Sequence, residues 1–268
     1  MTTPNIDLGL FGVFTMDPRS SFLDLGIAVI TPGQAQEIER LGYGTLWIAG
    51  SPPAELSFAE PFLEATTALK VATGIVNIWT ADAKTVAESF HRINTVYPGR
   101  FVLGIGAGHP EQTEQYRKPY DALVDYLDEL DEYGVPATQR VLAALGPRVL
   151  RLAAERTAGA HPYNTTPEHT AQARDIIGPN ALLAPEHKVL PIADAEEARA
   201  VGRKVLNTYN GFHGVQLRWV RWREQDGPRS CGGQRRRVRV AARHFAPDPH
   251  REGIRPKSGS GEDERGVA

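Results

Sequence analysis

Short apolar runs alternate with longer segments of helical periodicity through the first 210 residues. The apolar runs are rich in Val, Ile, Leu or Gly, and each helical segment ends at a turn, which is typical of β-α units on a parallel sheet. The pattern predicts strands at 8–14, 45–48, 71–79, 101–105, 141–145, 160–163 and within 181–192. It predicts helices at 33–41, 58–69, 82–96, 115–133, 147–156, 166–177 and 194–209.

The segment 115–133 has the most regular helical pattern of the chain. Its apolar residues step by four, three, four and three positions onto one stripe: Tyr116, Tyr120, Leu123, Leu127 and Leu130. Its other face is acidic: Asp121, Asp125, Asp128, Glu129, Asp131 and Glu132. Such a run of charge predicts a solvated helix face.

Two architectures share the strand-helix alternation, a doubly wound sheet and a (β/α)8 barrel. Seven predicted strands, with no G-x-G-x-x-G motif after the first, favour the barrel, whose usual size is about 250 residues. A barrel needs an eighth strand to close, and the sequence after Gly211 offers no obvious one. We therefore predict an α/β fold of the TIM-barrel type, with its closing C-terminal part missing or aberrant.

Composition narrows the class of protein. The chain has 268 residues, 41% of them hydrophobic and 23% charged, which excludes a collagen-like, disulfide-scaffold or wholly disordered protein. A single cysteine, Cys231, forms no internal disulfide and indicates a reducing compartment. No apolar run approaches the roughly 18 residues that span a bilayer, and the N-terminus lacks a signal pattern. We expect a soluble, cytoplasmic protein without a membrane partner.

The formal net charge of -2 conceals two unlike regions. Residues 1–210 carry 17 Lys and Arg against 25 Asp and Glu, whereas residues 211–268 carry 13 against 7. The first region therefore has a net charge of -8 and the second a net charge of +6. This division predicts a barrel domain over 1–210 and a separate basic segment, rich in Arg, Gly and Pro, over 211–268.

The candidate active site of a barrel lies where its strands end. The sharpest feature there is the series Gly104, Gly106, Gly108 and His109, at alternate positions and then directly adjacent. Glycines allow a flat ligand or a phosphate to approach the backbone, and the alternative is a tight turn with an exposed His109. The spacing differs from the dinucleotide fingerprint, so it gives little support to a Rossmann fold.

Two more polar residues follow predicted strands. Asn77 is positioned to direct its amide at a ligand, or alternatively to bond its own turn. His161 precedes Pro162, which holds it extended, and it is suited either to ligand contact or to packing. The chain lacks zinc motifs, a Gly-x-Ser-x-Gly elbow and a Walker loop, so we predict no metal site. We expect an organic cofactor to supply the reactive group.

Several strings resemble the luciferase-like monooxygenase superfamily, and most closely its actinobacterial branch of coenzyme F420-dependent oxidoreductases. The resemblance covers roughly residues 8–210. The matching strings are 42–48 (GYGTLWI), 72–79 (ATGIVNIW), 97–106 (YPGRFVLGIG), 142–145 (LAAL), 153–156 (AAER), 159–163 (GAHPY) and 166–169 (TPEH).

The resemblance implies a (β/α)8 barrel of the bacterial-luciferase type that binds F420, or alternatively FMN, at its C-terminal mouth. It implies hydride transfer to or from a small organic substrate, and homodimers are common among such proteins. The family's third strand often bulges, through a non-prolyl cis peptide, against the cofactor ring. The implied cofactor-binding residues are Val76, Asn77, Ile78, Gly106, Gly108, Gly159, Ala160 and His161.

One departure from the family affects the catalytic assignment. Many relatives carry an acidic residue or His after the second strand, where this chain has Ala49, Gly50 and Ser51. We therefore assign proton transfer or substrate orientation to His109, as a hypothesis. Two functional alternatives stay open: an FMN-dependent monooxygenase, and an inactive barrel that acts as a binding or partner protein.

The last 58 residues, 211–268, break the pattern and admit three interpretations. An Arg-rich run containing Trp219 and Trp222 suits nucleic acid or an anionic surface, and a disordered tail is the second interpretation. The third is a shifted reading frame near 208–216, because the wrong frame of GC-rich DNA encodes Arg, Gly, Pro and His without periodicity. We favour the third and consider nucleic-acid binding the weakest. An apolar strand in the alternative frame after codon 208 would establish the shift.

Overall fold

Parallel strands form one curled sheet in the computed structural model, which describes residues 12–16, 30–108, 118–187, 193–197, 199–200 and 202–203. Within these ranges the strands number eight, and their spatial order is β1-β2-β3-β5-β6-β7-β8, with β4 also paired to β5. They are β1 (Gly12–Met16), β2 (Thr45–Ala49), β3 (Lys70–Gly74), β4 (Val76–Asn77), β5 (Phe101–Gly106), β6 (Arg140–Leu142), β7 (Gly159–Ala160) and β8 (Leu182–Leu183).

Helices connect successive strands, as the β-α pattern predicts. They are α1 (Pro32–Arg40), α2 (Glu60–Ala65), α3 (Ala83–Val96), α4 (Pro119–Glu132), α5 (Pro147–Arg156) and α6 (Pro167–Ile177), with 3-10 turns at Ser57–Ala59 and Ala137–Gln139. Side chains of Thr31, Asp82 and Thr166 cap α1, α3 and α6 by accepting backbone N–H groups of the first turn. In the described ranges, no helix is long and apolar enough to cross a membrane.

The predicted α/β architecture is confirmed, and all pairings between named strands are parallel. In the described part of the chain, β1 and β8 are the edges of the sheet. The predicted missing or aberrant closing part, and the whole basic segment 211–268, lie outside the described residues. The beginning of the predicted first strand, at 8–11, lies outside them as well.

Apolar residues pack on both faces of the sheet. The larger core joins strand residues such as Leu46, Val71 and Leu103 to helix residues such as Phe90 and Leu127, so it lies between sheet and helices. The second cluster contains only strand and adjoining residues: Trp47, Ala72, Val102, Val141 and Ala158, with Leu182 and Ala184 against them. This second cluster lines the concave face, which is the interior of the barrel.

Several elements differ from the predicted boundaries: β6 and β7 end three residues before the predicted strands at 141–145 and 160–163, and two other differences are larger. The predicted strand at 71–79 divides into β3 and β4, and a turn begins at Ile78. The predicted helix at 58–69 ends at Ala65, because Thr66 has extended backbone and the chain then enters β3 at Lys70. The cap of the last predicted helix is confirmed, since the Asp194 carboxylate accepts the Glu197 N–H at 2.8 Å.

The acidic face of α4 is exposed, but part of it is ion-paired to neighbouring elements. Arg140 of β6 has only 1% of its surface exposed and donates to the Asp131 carboxylate. Arg156 at the end of α5 donates to Asp128 and to Asp131, each at 2.7 Å. Burial raises the pKa of Asp131, but hydrogen bonds from these two arginines outweigh burial, and the pKa lies below its usual value.

Candidate functional site

The C-terminal ends of the parallel strands meet at one edge of the sheet, where a barrel carries its site. The extra residue of the third strand shapes this edge. Ala72 pairs with Val102, but Val76 pairs with Ile105, so four steps along one strand oppose three along the other. The result is a bulge over residues 73–75, which contains a cis peptide between Gly74 and Ile75.

Glycines of β5 make room for this bulge. A Cβ on Gly104 would lie 1.8 Å from the Thr73 carbonyl oxygen, and one on Gly106 would lie 3.0 Å from two side-chain carbons of Ile75. The Thr73 hydroxyl also donates to the Gly104 carbonyl at 2.8 Å and accepts its N–H at 2.7 Å. Two of the three glycines before His109 therefore serve the approach of strand to strand.

Asn77 lies at the end of β4 and is buried. Its Oδ1 accepts the Trp79 N–H at 3.0 Å, and the Trp79 indole N–H donates to the Ala107 carbonyl at 2.7 Å. These contacts close the turn after β4 and hold it against the end of β5. The side-chain oxygen of Asn77 thus bonds its own turn, which is the alternative that the sequence left open. Cofactor contact by Asn77 stays a prediction.

His161 is buried in the concave face, where it stacks on Trp47 of β2 with ring centroids 4.1 Å apart and planes 10° apart. Its Nδ1 lies 2.6 Å from the Ala184 carbonyl oxygen. Since a carbonyl only accepts, Nδ1 carries the proton of this bond. The stack links strands that are not neighbours, and it fills the interior below the sheet edge.

Other predicted cofactor residues lie in β4 and β7 or directly after them, close to this edge. The side chains of Val76 and Ala160 are buried in the core between sheet and helices, and Ile78 packs against that core. A Cβ on Gly159 would lie 2.0 Å from the Leu182 carbonyl oxygen, so this glycine allows β7 to approach β8. Cofactor contact by these residues stays a prediction, and for Val76 and Ala160 it would be made by backbone.

The predicted catalytic residue, His109, lies outside the described residues. Gly108 is described and has a φ of 58°, in the left-handed region that glycine favours. Contact of Gly108 with a cofactor, and the role of His109, therefore stay predictions.

Residues 163–169 form a polar corner at the start of α6, which the sequence analysis did not assign to the site. The buried atoms Asn164 Nδ2, Thr165 Oγ1 and His169 Nδ1 have no hydrogen-bond partner among the described residues. His169 Nε2 lies 2.8 Å from the Leu145 carbonyl oxygen, which ties α6 to the connection between β6 and α5. The signal in the sequence was the run of amide and hydroxyl residues just before the Thr166 cap.

Anion binding is the chemistry that this corner can provide. An amide NH2 group and a hydroxyl are donors, and the N-terminus of α6 adds a positive dipole end. In the described ranges, no group of three or more His, Cys, Asp or Glu side chains is arranged to hold a metal ion.

Residues 11–181, nearly the whole of the described sheet, match the family described as luciferase-like monooxygenase. The chain belongs to the luciferase-like monooxygenase family. A curated relative in Bacillus subtilis (strain 168), N-acetyl-S-alkylcysteine monooxygenase, is 34% identical over 134 residues. That alignment spans 42% of this chain and only 39% of the relative.

Two solved structures of monooxygenases show the same fold. Monooxygenase RslO1 from Streptomyces bottropensis aligns over 76% of this chain and 78% of that protein, with 15% identity and a TM-score of 0.52. The oxygenating constituent of 3,6-diketocamphane monooxygenase from Pseudomonas putida, solved in complex with FMN, aligns over 63% and 61%, with 13% identity and a TM-score of 0.51. At these identities the two similarities show a shared fold and nothing about the reaction.

Proposed function

We propose that this luciferase-like chain is an oxidoreductase that binds coenzyme F420 and exchanges a hydride between this deazaflavin and a small organic substrate. The observation that carries the proposal is the polar corner at the start of α6, where buried donors lack a partner among the described residues. The choice of F420, and of the actinobacterial branch, rests on the sequence strings compared above.

FMN is the second candidate cofactor, in an FMN-dependent monooxygenase. It is supported by the curated relative, which is a monooxygenase, and by the FMN bound to the diketocamphane enzyme of the same fold. F420 and FMN both carry a phosphate on a ribityl chain, so the polar corner suits either. Both candidates therefore predict the same phosphate site, and they differ only in the ring that is bound.

The residues present fit such a cofactor. Asn164 Nδ2 and Thr165 Oγ1 would hold the phosphate, because each is a donor that is buried without a described partner. The Thr166 hydroxyl accepts the His169 N–H at 3.3 Å, which fixes the first turn of α6 behind them. The backbone of the bulge at 73–75 and of Gly106 would hold the ring at the sheet edge.

When bound, the cofactor supplies the hydride chemistry that the side chains at this edge lack. The Trp47–His161 stack excludes water from the concave face below the site, because both rings are buried and in contact. His109 would transfer a proton to or from the substrate or orient it. His109→Ala should then lower turnover while cofactor affinity is retained, and full turnover would contradict that role.

Titration of the purified chain with F420, FMN and riboflavin tests the proposal. Binding of F420 with no binding of FMN supports the leading candidate, and binding of FMN alone supports the second. Riboflavin lacks the phosphate, so we expect its affinity to be roughly 100-fold lower than that of FMN, because two charge-assisted hydrogen bonds are lost. Failure to bind either phosphorylated cofactor would contradict both candidates and favour an inactive barrel with a binding role.

A further inference from the structure

One ring nitrogen of His169 is fixed by the backbone, and this determines what the other nitrogen can do. His169 Nε2 lies 2.8 Å from the Leu145 carbonyl oxygen. Because a carbonyl only accepts, Nε2 carries the proton of this bond. In the neutral ring, Nδ1 is therefore an acceptor without a proton. The His169 backbone N–H donates to the Thr166 hydroxyl, so the first turn of α6 also holds the residue in place.

The free nitrogen of this ring belongs to the polar corner. Nδ1 is buried and has no hydrogen-bond partner among the described residues, as is also true of Asn164 Nδ2 and Thr165 Oγ1 just before the Thr166 cap. A buried polar atom without a partner carries a desolvation cost, and three of them in one short segment indicate a shared ligand. Asn164 and Thr165 offer donors to an anion. A neutral His169 offers only a lone pair, which repels a phosphate oxygen.

Several ionisable groups lie on the elements around His169. They are Arg148, Arg151, Glu155 and Arg156 on α5, Glu168, Arg174 and Asp175 on α6, and His161, Tyr163, Glu186 and His187 at the ends of β7 and β8. Within the described ranges, none of them forms a hydrogen bond or an ion pair with the His169 ring. Without a bonded carboxylate, a proton on Nδ1 needs a bound anion to stabilise it.

We propose that His169 is a third ligand of the cofactor phosphate and that it binds the phosphate together with one proton. The inference rests on the proposed function, because it requires a phosphorylated cofactor at the polar corner. On binding, a proton from solvent comes to lie between Nδ1 and a phosphate oxygen, as a charge-assisted hydrogen bond. The separate partners hold this proton weakly, since imidazole has a pKa of about 6.5 and a phosphate monoester such as FMN a second pKa of about 6.

The sign of the pH dependence follows from this difference. The complex holds the proton more tightly than the free partners do, so the phosphate contributes most to affinity at or below about pH 6.5. Its contribution falls as the pH rises, until the complex loses the proton as well. The cofactor would thus be bound more tightly in a slightly acidic solution than in an alkaline one.

The test compares each cofactor with its phosphate-free counterpart between pH 7 and pH 8. The pairs are FMN with riboflavin, and F420 with the deazaflavin that lacks the phosphate, whichever pair the wild-type chain binds. The ratio of the two affinities isolates the phosphate, and we expect it to fall roughly fivefold over this range, close to the roughly tenfold limit for one proton. Calorimetry in two buffers of different ionisation enthalpy should show proton uptake with the phosphorylated cofactor and none with its counterpart.

Two substitutions assign the proton to His169. His169→Gln removes the titrating ring and keeps a donor, so we expect the affinity ratio to change by less than about twofold between pH 7 and pH 8. His169→Asn, measured alongside, should behave in the same way. His91→Gln is the matched control, because His91 Nε2 likewise lies 2.8 Å from a backbone carbonyl, that of Tyr133, but beside the C-terminal end of α4. This variant should keep the wild-type pH dependence.

The outcomes separate the inference from the proposed function. A wild-type ratio that is constant with pH, with the phosphorylated cofactor still preferred, would overturn the inference and leave the proposed function intact. A pH dependence that persists in both His169 variants would also overturn it, because the proton would then lie on another group. If neither variant folds, the calorimetry of the wild type decides, and absence of proton uptake overturns the inference. Wild-type protein that binds neither cofactor would overturn the proposed function, and the inference with it.

Discussion

At the scale of single residues, backbone carbonyls and N–H groups already engage most polar side chains at the sheet edge. Asn77 accepts a backbone N–H, and Trp79 and His161 donate to carbonyls at 2.7 and 2.6 Å. These contacts fix the edge without any ligand. Four buried side-chain atoms are unpaired in the described residues: Arg140 Nε, in β6, and Asn164 Nδ2, Thr165 Oγ1 and His169 Nδ1 at the start of α6. The grouping of the last three is therefore the sharpest indication of where a ligand is held.

Thr165→Val tests this assignment with a nearly isosteric change. The variant removes a buried hydroxyl that has no described partner, so we expect the free energy of unfolding to be unchanged or slightly higher. The affinity for F420 or FMN should fall roughly tenfold, because a hydrogen bond to a charged phosphate is lost. Chemical denaturation and cofactor titration measure the two effects separately.

Thr170→Val is the control for Thr165→Val. Thr170 lies one turn further along α6, where its hydroxyl donates to the Thr166 carbonyl at 3.2 Å. We expect this variant to keep the wild-type affinity. Equal loss of affinity in both variants would show that α6 is merely perturbed, and no loss in Thr165→Val would remove Thr165 from the phosphate site.

Asp131 allows a prediction about pH. Its pKa is lowered in the folded protein, so its stabilising effect is fully present above the ordinary carboxyl pKa of about 4 and is lost as the pH falls through the lower, folded-state value. Asp131→Asn should reduce the free energy of unfolding at pH 7 by about 2 kcal/mol, since the buried Arg140 loses a charged partner that is itself half exposed.

Urea denaturation at pH 7 and pH 3 measures this effect. The difference between Asp131→Asn and wild type should shrink toward pH 3, because below about pH 4 the unfolded chain takes up a proton at this carboxyl more readily than the folded protein does. Glu132→Gln, an exposed change on the same helix end, should have little effect at either pH. A constant difference at both values would contradict the electrostatic account of Asp131.

At the scale of elements, the helices could be predicted from periodicity, whereas the bulge with its cis peptide was expected only from the family resemblance. Helices α1, α3 and α6 begin at capping residues, which are Thr31, Asp82 and Thr166. Each cap bonds a backbone N–H only three residues further on, so the starts of these helices could be predicted from neighbouring residues in the sequence. The division of the third strand depends on its neighbour, because Gly104 and Gly106 lie about 30 positions away and create the space. A periodicity of apolar residues does not contain that information.

Gly104→Ala tests the packing of these two elements. The added Cβ would lie 1.8 Å from the Thr73 carbonyl oxygen, so the backbone of β3 or β5 must move. We expect a loss of about 2 kcal/mol or more in the free energy of unfolding, together with weaker cofactor binding because the edge changes shape. Thermal and urea denaturation of the variant measure the first effect.

Gly33→Ala is the control for the glycine substitution. Its Cβ would come no closer than 3.9 Å to another side chain, and it lies in α1, away from the sheet edge. We expect a gain of about 0.5 kcal/mol, because alanine loses less backbone freedom than glycine in a helix. A Gly104→Ala protein as stable as Gly33→Ala would show that the bulge does not need glycine.

At the scale of the whole molecule, the alternation of strands and helices was sufficient to predict the α/β class, and the strings over 8–210 anticipated the luciferase-like family that residues 11–181 match. The site was less predictable. Gly104 and Gly106 serve the packing of strand against strand, while the polar corner at 163–169 depends on which residues the fold brings to one edge. Whether a polar side chain is buried, and whether it has a hydrogen-bond partner, is decided only when the sheet is assembled, so neither could be predicted from the sequence.

A crystal structure of the chain with its preferred cofactor, F420 or FMN, tests the central claim most directly. The account predicts the phosphate within hydrogen-bond distance of Asn164 Nδ2 and Thr165 Oγ1 at the start of α6, and the ring against the bulge at 73–75. A cofactor whose phosphate lies elsewhere, with Asn164 and Thr165 still unpaired, would contradict it.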